Sequence, residues 1–412
     1  MRFRQLAPIL CTAGIGALLG WAAWGEGRAP ALAAMLLICV GLCETRLQAF
    51  ALGMFYTLAL MRHVPEFIAG WFENNAVIGV GAVLTYSLIA GGVWCTGWTA
   101  TKVPWKKSLA VFRGWALALL PPAAIAVPGH PLIAWGSITP GAGWIGVALS
   151  VGLSAAFVWV VAARKIDRRF VVMAMAIVAA ILGFIGWTAF GEKPQAPSGV
   201  VGMTTYWGGI KSPEDVIERI SLMGKESRAA PLRDDKSVVI WPESILGTFD
   251  HAFQSVLNIE VLKPTKRVGV TQVIGMDLDQ YGRSVVVARA FYPDGGVQTA
   301  RSRQPAPLSL WRPWMSKGTF DADWTGNNTL KLAGGKTAAV IFCYEEYIPA
   351  LYLINEIKDD VEMYVAMANT WAEPATEGSF IQTQHSQGMA KLFARSYVKA
   401  ENRPAAVVGA GH

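Results

Sequence analysis

"VIFCYEEYIP", residues 340–349, decides how the second half of this 412-residue chain is read. Three apolar residues run up to Cys343, Glu345 and Glu346 follow within three residues, and Pro349 closes the stretch. The pattern reads as a buried strand running into a turn. Free cysteine is among the most buried residue types, so Cys343 is either a small core residue or a nucleophile held at a strand tip.

The flanking sequence repeats the pattern. "SVVIWPES" (237–244) is an apolar run stopped by Pro242, and "RVGVTQVIGMDLD", "RSVVVARAFYPDGG" and "VEMYVAMANTW" read as further strands, the second of these three ending in an Asp-Gly turn. "GVVGMTTYWGG" is another strand candidate. Residues 213–228 carry Pro213 and Glu214 in an opening turn and periodic apolar positions, as a helix does. "QTQHSQGMAKLFARSYVKAENRP" reads as one long helix with basic residues toward its end. Strands alternating with helices predict an α/β layered domain over 199–412, preceded by a linker at 191–198, "GEKPQAPS".

The first 190 residues are of another kind. Over the whole chain 53% of residues are hydrophobic and 16% charged, too apolar for an ordinary soluble protein, and the excess lies in this half. A membrane span needs about 20 apolar residues. Residues 76–100, 142–163 and 170–190 meet that length, and 108–127 do so with Arg113 near one end and Pro121-Pro122 expected to kink it. Residues 5–24 follow the basic start "MRFR" and compete between a span and a signal peptide. Residues 30–43 and 47–61 are short, either two tilted spans or a re-entrant pair. About seven spans are expected. With the N-terminus in the cytoplasm, "MRFR", "ETR", "TKVPWKK" and "RKIDRR" fall inside, while "PGHPLIAWGSITPG" falls outside without a lysine or arginine. This places residue 191 onward outside the cytoplasm, in the periplasm of a bacterial inner-membrane protein.

The net charge of +7 is explained by those loops, and no phosphate-cradling glycine loop or basic aromatic-rich helix suggests direct nucleic-acid binding. Four of the five cysteines (Cys11, Cys39, Cys43 and Cys95) lie in apolar segments, so Cys343 has no partner in its own domain. No Cys/His cluster has metal-ligand spacing, and neither a metal nor another cofactor is expected.

Two strand ends carry useful chemistry: Glu243 after Trp241-Pro242, and Cys343 after Ile341-Phe342. Strand ends are where α/β sheets build sites, and a carboxylate that takes a thiol proton turns cysteine into a stronger nucleophile. "WPES", "FCYEEY" and "ANTW…QHSQGMAKLFARSYVKAENRP" together resemble the carbon–nitrogen hydrolase (nitrilase) superfamily. The spans before them resemble its apolipoprotein N-acyltransferase branch, and the texture, "RQPAPLSLWRPW" included, is most similar to the plasmid conjugal-transfer proteins of that branch.

The resemblance implies an αββα sandwich and a Glu–Lys–Cys triad. Glu243 would be the general base, Cys343 the nucleophile that forms a thioester, and Glu345 the glutamate that orders the site. The lysine departs from the pattern: in "ARSRQPAPLSLW" (300–311) Ser302 or Arg303 stands at its position. Arg303 is either a replacement oxyanion donor or a surface or partner-facing arginine, and a planar guanidinium does not reproduce lysine's point charge. The chain also stops at "VVGAGH", short of the family's last strands and final span.

Three functions are weighed. An enzyme would move an acyl group from a phospholipid, or cleave an amide, with a lipoprotein or a membrane-held pilus subunit among its substrates. A catalytically degenerate scaffold would assemble the transfer apparatus with other conjugal transfer proteins. A transporter ranks last, because ionisable groups within the spans are few and lie near their ends.

Overall fold

The computed structural model describes residues 3–73, 75–101, 103–120, 126–189, 193–229, 237–373 and 377–405. The expected kink at Pro121-Pro122 and the terminal "VVGAGH" lie outside the described residues. The chain divides into two compact units, one of Met1–Pro194, Tyr347–Ala350 and Ala375–Ala394, the other of Gln195–Glu346, Leu351–Pro374 and Arg395–His412.

The first unit is helical. Among the described residues, four segments are long and apolar enough to cross a membrane: Leu6–Ala23, Ala76–Gly97, Gly143–Arg164 and Arg168–Thr188. Three other expected spans form shorter helices, Met35–Leu42 after a 3-10 turn at Pro30–Ala34, Arg46–Leu60, and Pro104–Leu119. Local sequence fixes where several begin. Thr45 and Gln48 form a reciprocal capping box before Arg46–Leu60, and Asn75 Oδ1 accepts from the Val77 and Ile78 amides at the start of Ala76–Gly97. Gly16 and Gly20, four residues apart on helix Phe3–Ala23, let the backbone of Arg46–Leu60 come close, since a Cβ on either would overlap the Leu52 or Tyr56 carbonyl oxygen.

Helix Glu377–Leu392 also belongs to this unit. Gln384 bridges both backbone groups of Gly25, accepting from its N–H and donating to its carbonyl, each at 3.0 Å. His385 stacks on Trp24, with ring centroids 4.3 Å apart. Its Nε2 accepts from the Gly129 amide at 2.8 Å, so the ring proton sits on Nδ1 and donates to the Ile381 carbonyl. Glu377 pairs with Arg62.

The second unit is a sandwich of two sheets. The first contains β1 (Val200–Gly202), β3 (Val238–Ile240), β4 (Thr271–Gln280), β5 (Arg283–Phe291) and β6 (Val297–Arg301) in that order, with β7 (Thr319–Phe320) on the start of β5. The second runs β2 (Thr204–Thr205), β11 (Ser396–Asn402), β10 (Met363–Asn369), β9 (Thr337–Phe342) and β8 (Thr329–Lys331). β1, β3 and β4 pair in parallel, as do β2, β11, β10 and β9, and β7 is parallel to β5; the pairs β4–β5, β5–β6 and β8–β9 are antiparallel. Parallel strands buried on both faces read as continuous apolar runs, which is why all six residues of β9 are buried.

Val238, Ile240, Val286 and Ala288 of the first sheet pack on Val340, Phe342, Val365 and Val398 of the second. On the outer face of the first sheet, Val216, Ile220 and Met223 of helix Pro213–Ala229 cover Val239, Ile274 and Met276. On the outer face of the second, Tyr352 of helix Pro349–Lys358 meets Tyr364 of β10 edge to face. These layers make the α/β architecture an αββα sandwich. The stretch "GVVGMTTYWGG" serves both sheets: Met203 donates its N–H to Ile240 of β3 and accepts from Glu401 of β11.

One expected element is corrected. The long helix ends at Leu392, and "SYVKAEN" is strand β11, with Ala394 in the left-handed region (φ 53°) at the break. Lys, Ala and Glu favour a helix locally, but seven backbone register positions on β10 and two on β2 override that preference.

Candidate active site

Glu243 and Cys343 come from different sheets. β3 delivers Trp241, whose N–H continues the ladder to the Val273 carbonyl at 2.8 Å and whose Nε1 donates to Gln272 Oε1 at 2.8 Å. The chain then turns over β4. Gly275 leaves room for it, since a Cβ there would overlap the Pro242 carbonyl oxygen and lie 2.7 Å from Glu243 Cα. Ser244 adopts φ 44°, a conformation that costs a non-glycine residue about 1 kcal/mol, and its Oγ donates to Asp277 Oδ1 at 2.6 Å. β9 ends at Phe342, and Cys343 opens the 3-10 turn Cys343–Tyr347. The Cys343 side chain hydrogen-bonds the buried Glu243 carboxyl.

Glu345 is buried and tied down on both oxygens. Oε1 accepts from Ser302 Oγ at 2.8 Å and from the Arg303 and Gln304 amides, and Oε2 accepts from the Phe342 amide at 3.0 Å. It joins the thiol turn to the segment where the family lysine is expected. Arg303 is thus beside the site through its backbone, while its guanidinium donates to Asn355 Oδ1 and, at 3.3 Å, to the Gly326 carbonyl. Nη2 of Arg303 is buried without a hydrogen-bond partner.

Electrostatics set the state of the pair. Burial pushes the Glu243 carboxyl well above the usual carboxylate range; Asp277, Glu345 and Glu346 push the same way, and the Cys343 hydrogen bond opposes them. Burial also raises Asp277 to about 6, against its bond from Ser244. It raises Glu345 too, opposed by the four donors just named. Lys399 of β11 approaches Glu346 at 3.5 Å, with the glutamate fully buried and the lysine 12% exposed.

Sequence reasoning missed three of these residues. Asp277 and Ser244 gave a faint signal, an acid inside the apolar run "VIGMDLD" and a serine directly after the base. Lys399 was hidden by the misread helix: as a strand, "SYVKAEN" puts Val398 and Ala400 on the inter-sheet face and Lys399 on the other.

No protein-family model matches the chain. It is 26% identical to a probable conjugal transfer protein TraB of Sinorhizobium fredii, covering 98% of this chain and 100% of that one. It is 27% identical to the conjugal transfer protein TraB of Agrobacterium fabrum, covering 97% and 93%. The sequence therefore resembles TraB proteins from end to end. Among solved structures, it aligns with a carbon–nitrogen hydrolase superfamily protein of Xanthomonas campestris at 16% identity and a TM-score of 0.28, covering 41% of this chain and 63% of that one. An N-terminal amidase aligns at 10% identity and the same TM-score of 0.28, covering 41% and 46%. The sandwich is established by its own sheets, and those alignments add nothing to it.

Proposed function

We propose that this protein is a membrane-bound carbon–nitrogen hydrolase-like acyltransferase or amidase of conjugal plasmid transfer, working through a thioester on Cys343. The observation that carries the reading is the hydrogen bond between Cys343 and Glu243, which meet from the ends of strands in facing sheets. Near-full-length similarity to two TraB proteins supports the role in conjugation.

In the first half-reaction Glu243 takes the Cys343 proton as sulfur attacks the acyl carbonyl carbon. Collapse of the tetrahedral intermediate breaks the bond to the leaving oxygen or nitrogen, which takes the proton back from Glu243 and leaves a thioester. An amine or water then attacks the thioester, again giving a proton to Glu243, and the thiol reforms with that proton. Glu345 holds the 302–304 backbone against the thiol turn. We assign Arg303 to this positioning through its backbone amide, with its unpartnered Nη2 as a donor available to an oxyanion.

Incubating the purified full-length protein with phospholipid and measuring its intact mass tests the chemistry. An acyl-sized increase that hydroxylamine removes and that Cys343→Ala lacks is expected. If Cys343→Ala also supports wild-type plasmid transfer in matings, the thioester is not the function, and the sandwich acts as a scaffold for the transfer apparatus.

A further inference from the structure

A second site lies on the sandwich, away from the thiol. A cavity of about 370 Å³ opens between the end of β5, the turn into β6 and the helical run 254–267. Three cations line it, Lys263, Lys266 and Arg289, and no carboxylate does. Leu262, Val270 and Phe291 make its apolar wall. Among the described residues none of the three cations forms an ion pair. Asp294 stands nearby, but its Oδ1 accepts from the Gly296 amide at 2.7 Å.

Two local features are unexplained by packing. Nε of Arg289 is buried without a hydrogen-bond partner, and its guanidinium sits 5.9 Å from the Phe291 ring centroid. Leaving a buried charged donor unmade costs free energy that an incoming acceptor would recover. The wall helix also contains a π turn, Asn258–Leu262, in which the Lys263 amide bonds the Asn258 carbonyl five residues back. Such turns are rare and recur at functional sites, and this one sets the cavity-lining Asn258 and Lys263 side by side.

We propose that this cavity binds a phosphate monoester or phosphodiester group that carries an apolar body. Lys263, Lys266 and Arg289 would hold the anion, and Leu262, Val270 and Phe291 the body. Three cations without a counter-charge match a phosphate better than a single carboxylate. The site is independent of the thiol chemistry, because none of its lining residues belongs to that constellation. The group has two sources, a free phosphate ester or a lipid headgroup.

Titration calorimetry on the full-length protein in neutral detergent separates them, with phenyl phosphate as the free ester and dihexanoyl phosphatidylglycerol as the lipid. Saturable binding of at least one probe is expected. Removing a charge-assisted contact should weaken it about 10- to 100-fold in Lys266→Gln and in Arg289→Gln. Lys266 is exposed, so Lys266→Gln tests the site even if Arg289→Gln fails to fold. Binding of the lipid alone assigns a headgroup; binding of phenyl phosphate assigns a free ester. No saturable binding of either probe, or unchanged affinity in a folded Lys266→Gln variant, overturns the proposal.

Discussion

Glu243 keeps its proton to a higher pH than an ordinary glutamate, because burial and three neighbouring acids all disfavour its charge. In the mechanism we propose, Glu243 accepts the Cys343 proton only once it is itself ionised, which burial delays to higher pH. Alkylation of Cys343 by iodoacetamide should rise with pH, with a midpoint above the usual carboxylate range. Glu243→Gln should slow it about tenfold or more, and equal rates would mean that Glu243 is not the base for the half-buried Cys343. Asp277→Asn removes the neighbouring charge that raises Glu243 most, so its midpoint should move to lower pH. The same substitution has a stability signature. Asp277 goes from 3.8 to about 6 on folding, so in that window the folded state binds more protons and stability falls as pH rises. The penalty is absent below the window and complete above it, on the order of 3 kcal/mol at most. Asp277→Asn should match the parent at pH near 4 and exceed its thermal stability at pH 7; a variant less stable at pH 7 would contradict the assignment. Lys399 offers a third test. Lys399→Met removes the cation 3.5 Å from the buried Glu346 carboxylate, at a cost of about 3 kcal/mol, and adding Glu346→Gln should recover most of it in the same denaturation assay.

The site is built by how elements end. β3 stops at a proline, and the turn that follows fits over β4 because residue 275 is glycine. Gly275→Ala should push the turn off the sheet, cost about 1–3 kcal/mol and slow Cys343 alkylation as Glu243→Gln does. Wild-type alkylation in a folded Gly275→Ala protein would mean that the dyad does not depend on this approach. β9 stops at the thiol, and the turn after it is pinned through Glu345 to the 302–304 segment. Glu345→Gln keeps the shape but turns one oxygen into a donor facing N–H groups, so it should loosen both segments at once.

At the scale of the whole molecule, the loop charges bear on which side of the membrane the sandwich occupies. If the four long helices alone crossed, "TKVPWKK" and "RKIDRR" would lie on opposite sides, with Gly143–Arg164 the single crossing between them. The concentration of positive charge in both loops argues that Pro104–Leu119 crosses as well, despite its length. With the short pair counted as two crossings or none, the topology we propose puts the sandwich in the periplasm. A periplasm-active reporter enzyme fused after residue 412 should be active, and one inserted within 101–107 inactive. The reverse pattern would sink this topology.

Much of this was legible in the chain itself, because local signals carried it. Continuous apolar runs mark the long apolar helices and the parallel strands, Pro242 and Cys343 mark where strands stop, and "WPES" and "FCYEEY" hold Glu243 and Cys343, the pair we propose as base and nucleophile. The sequence could not show that helix Glu377–Leu392 packs with the first-half helices, since the partners of Gln384 and His385 at Gly25, Trp24 and Gly129 are hundreds of residues away. Nor could it show that "SYVKAEN" is a strand, because its composition favours a helix and only pairing with β10 and β2 decides otherwise. The pKa of Glu243 and the Lys399–Glu346 pair likewise exist only in the fold, for burial and the approach of distant charges are properties of packing.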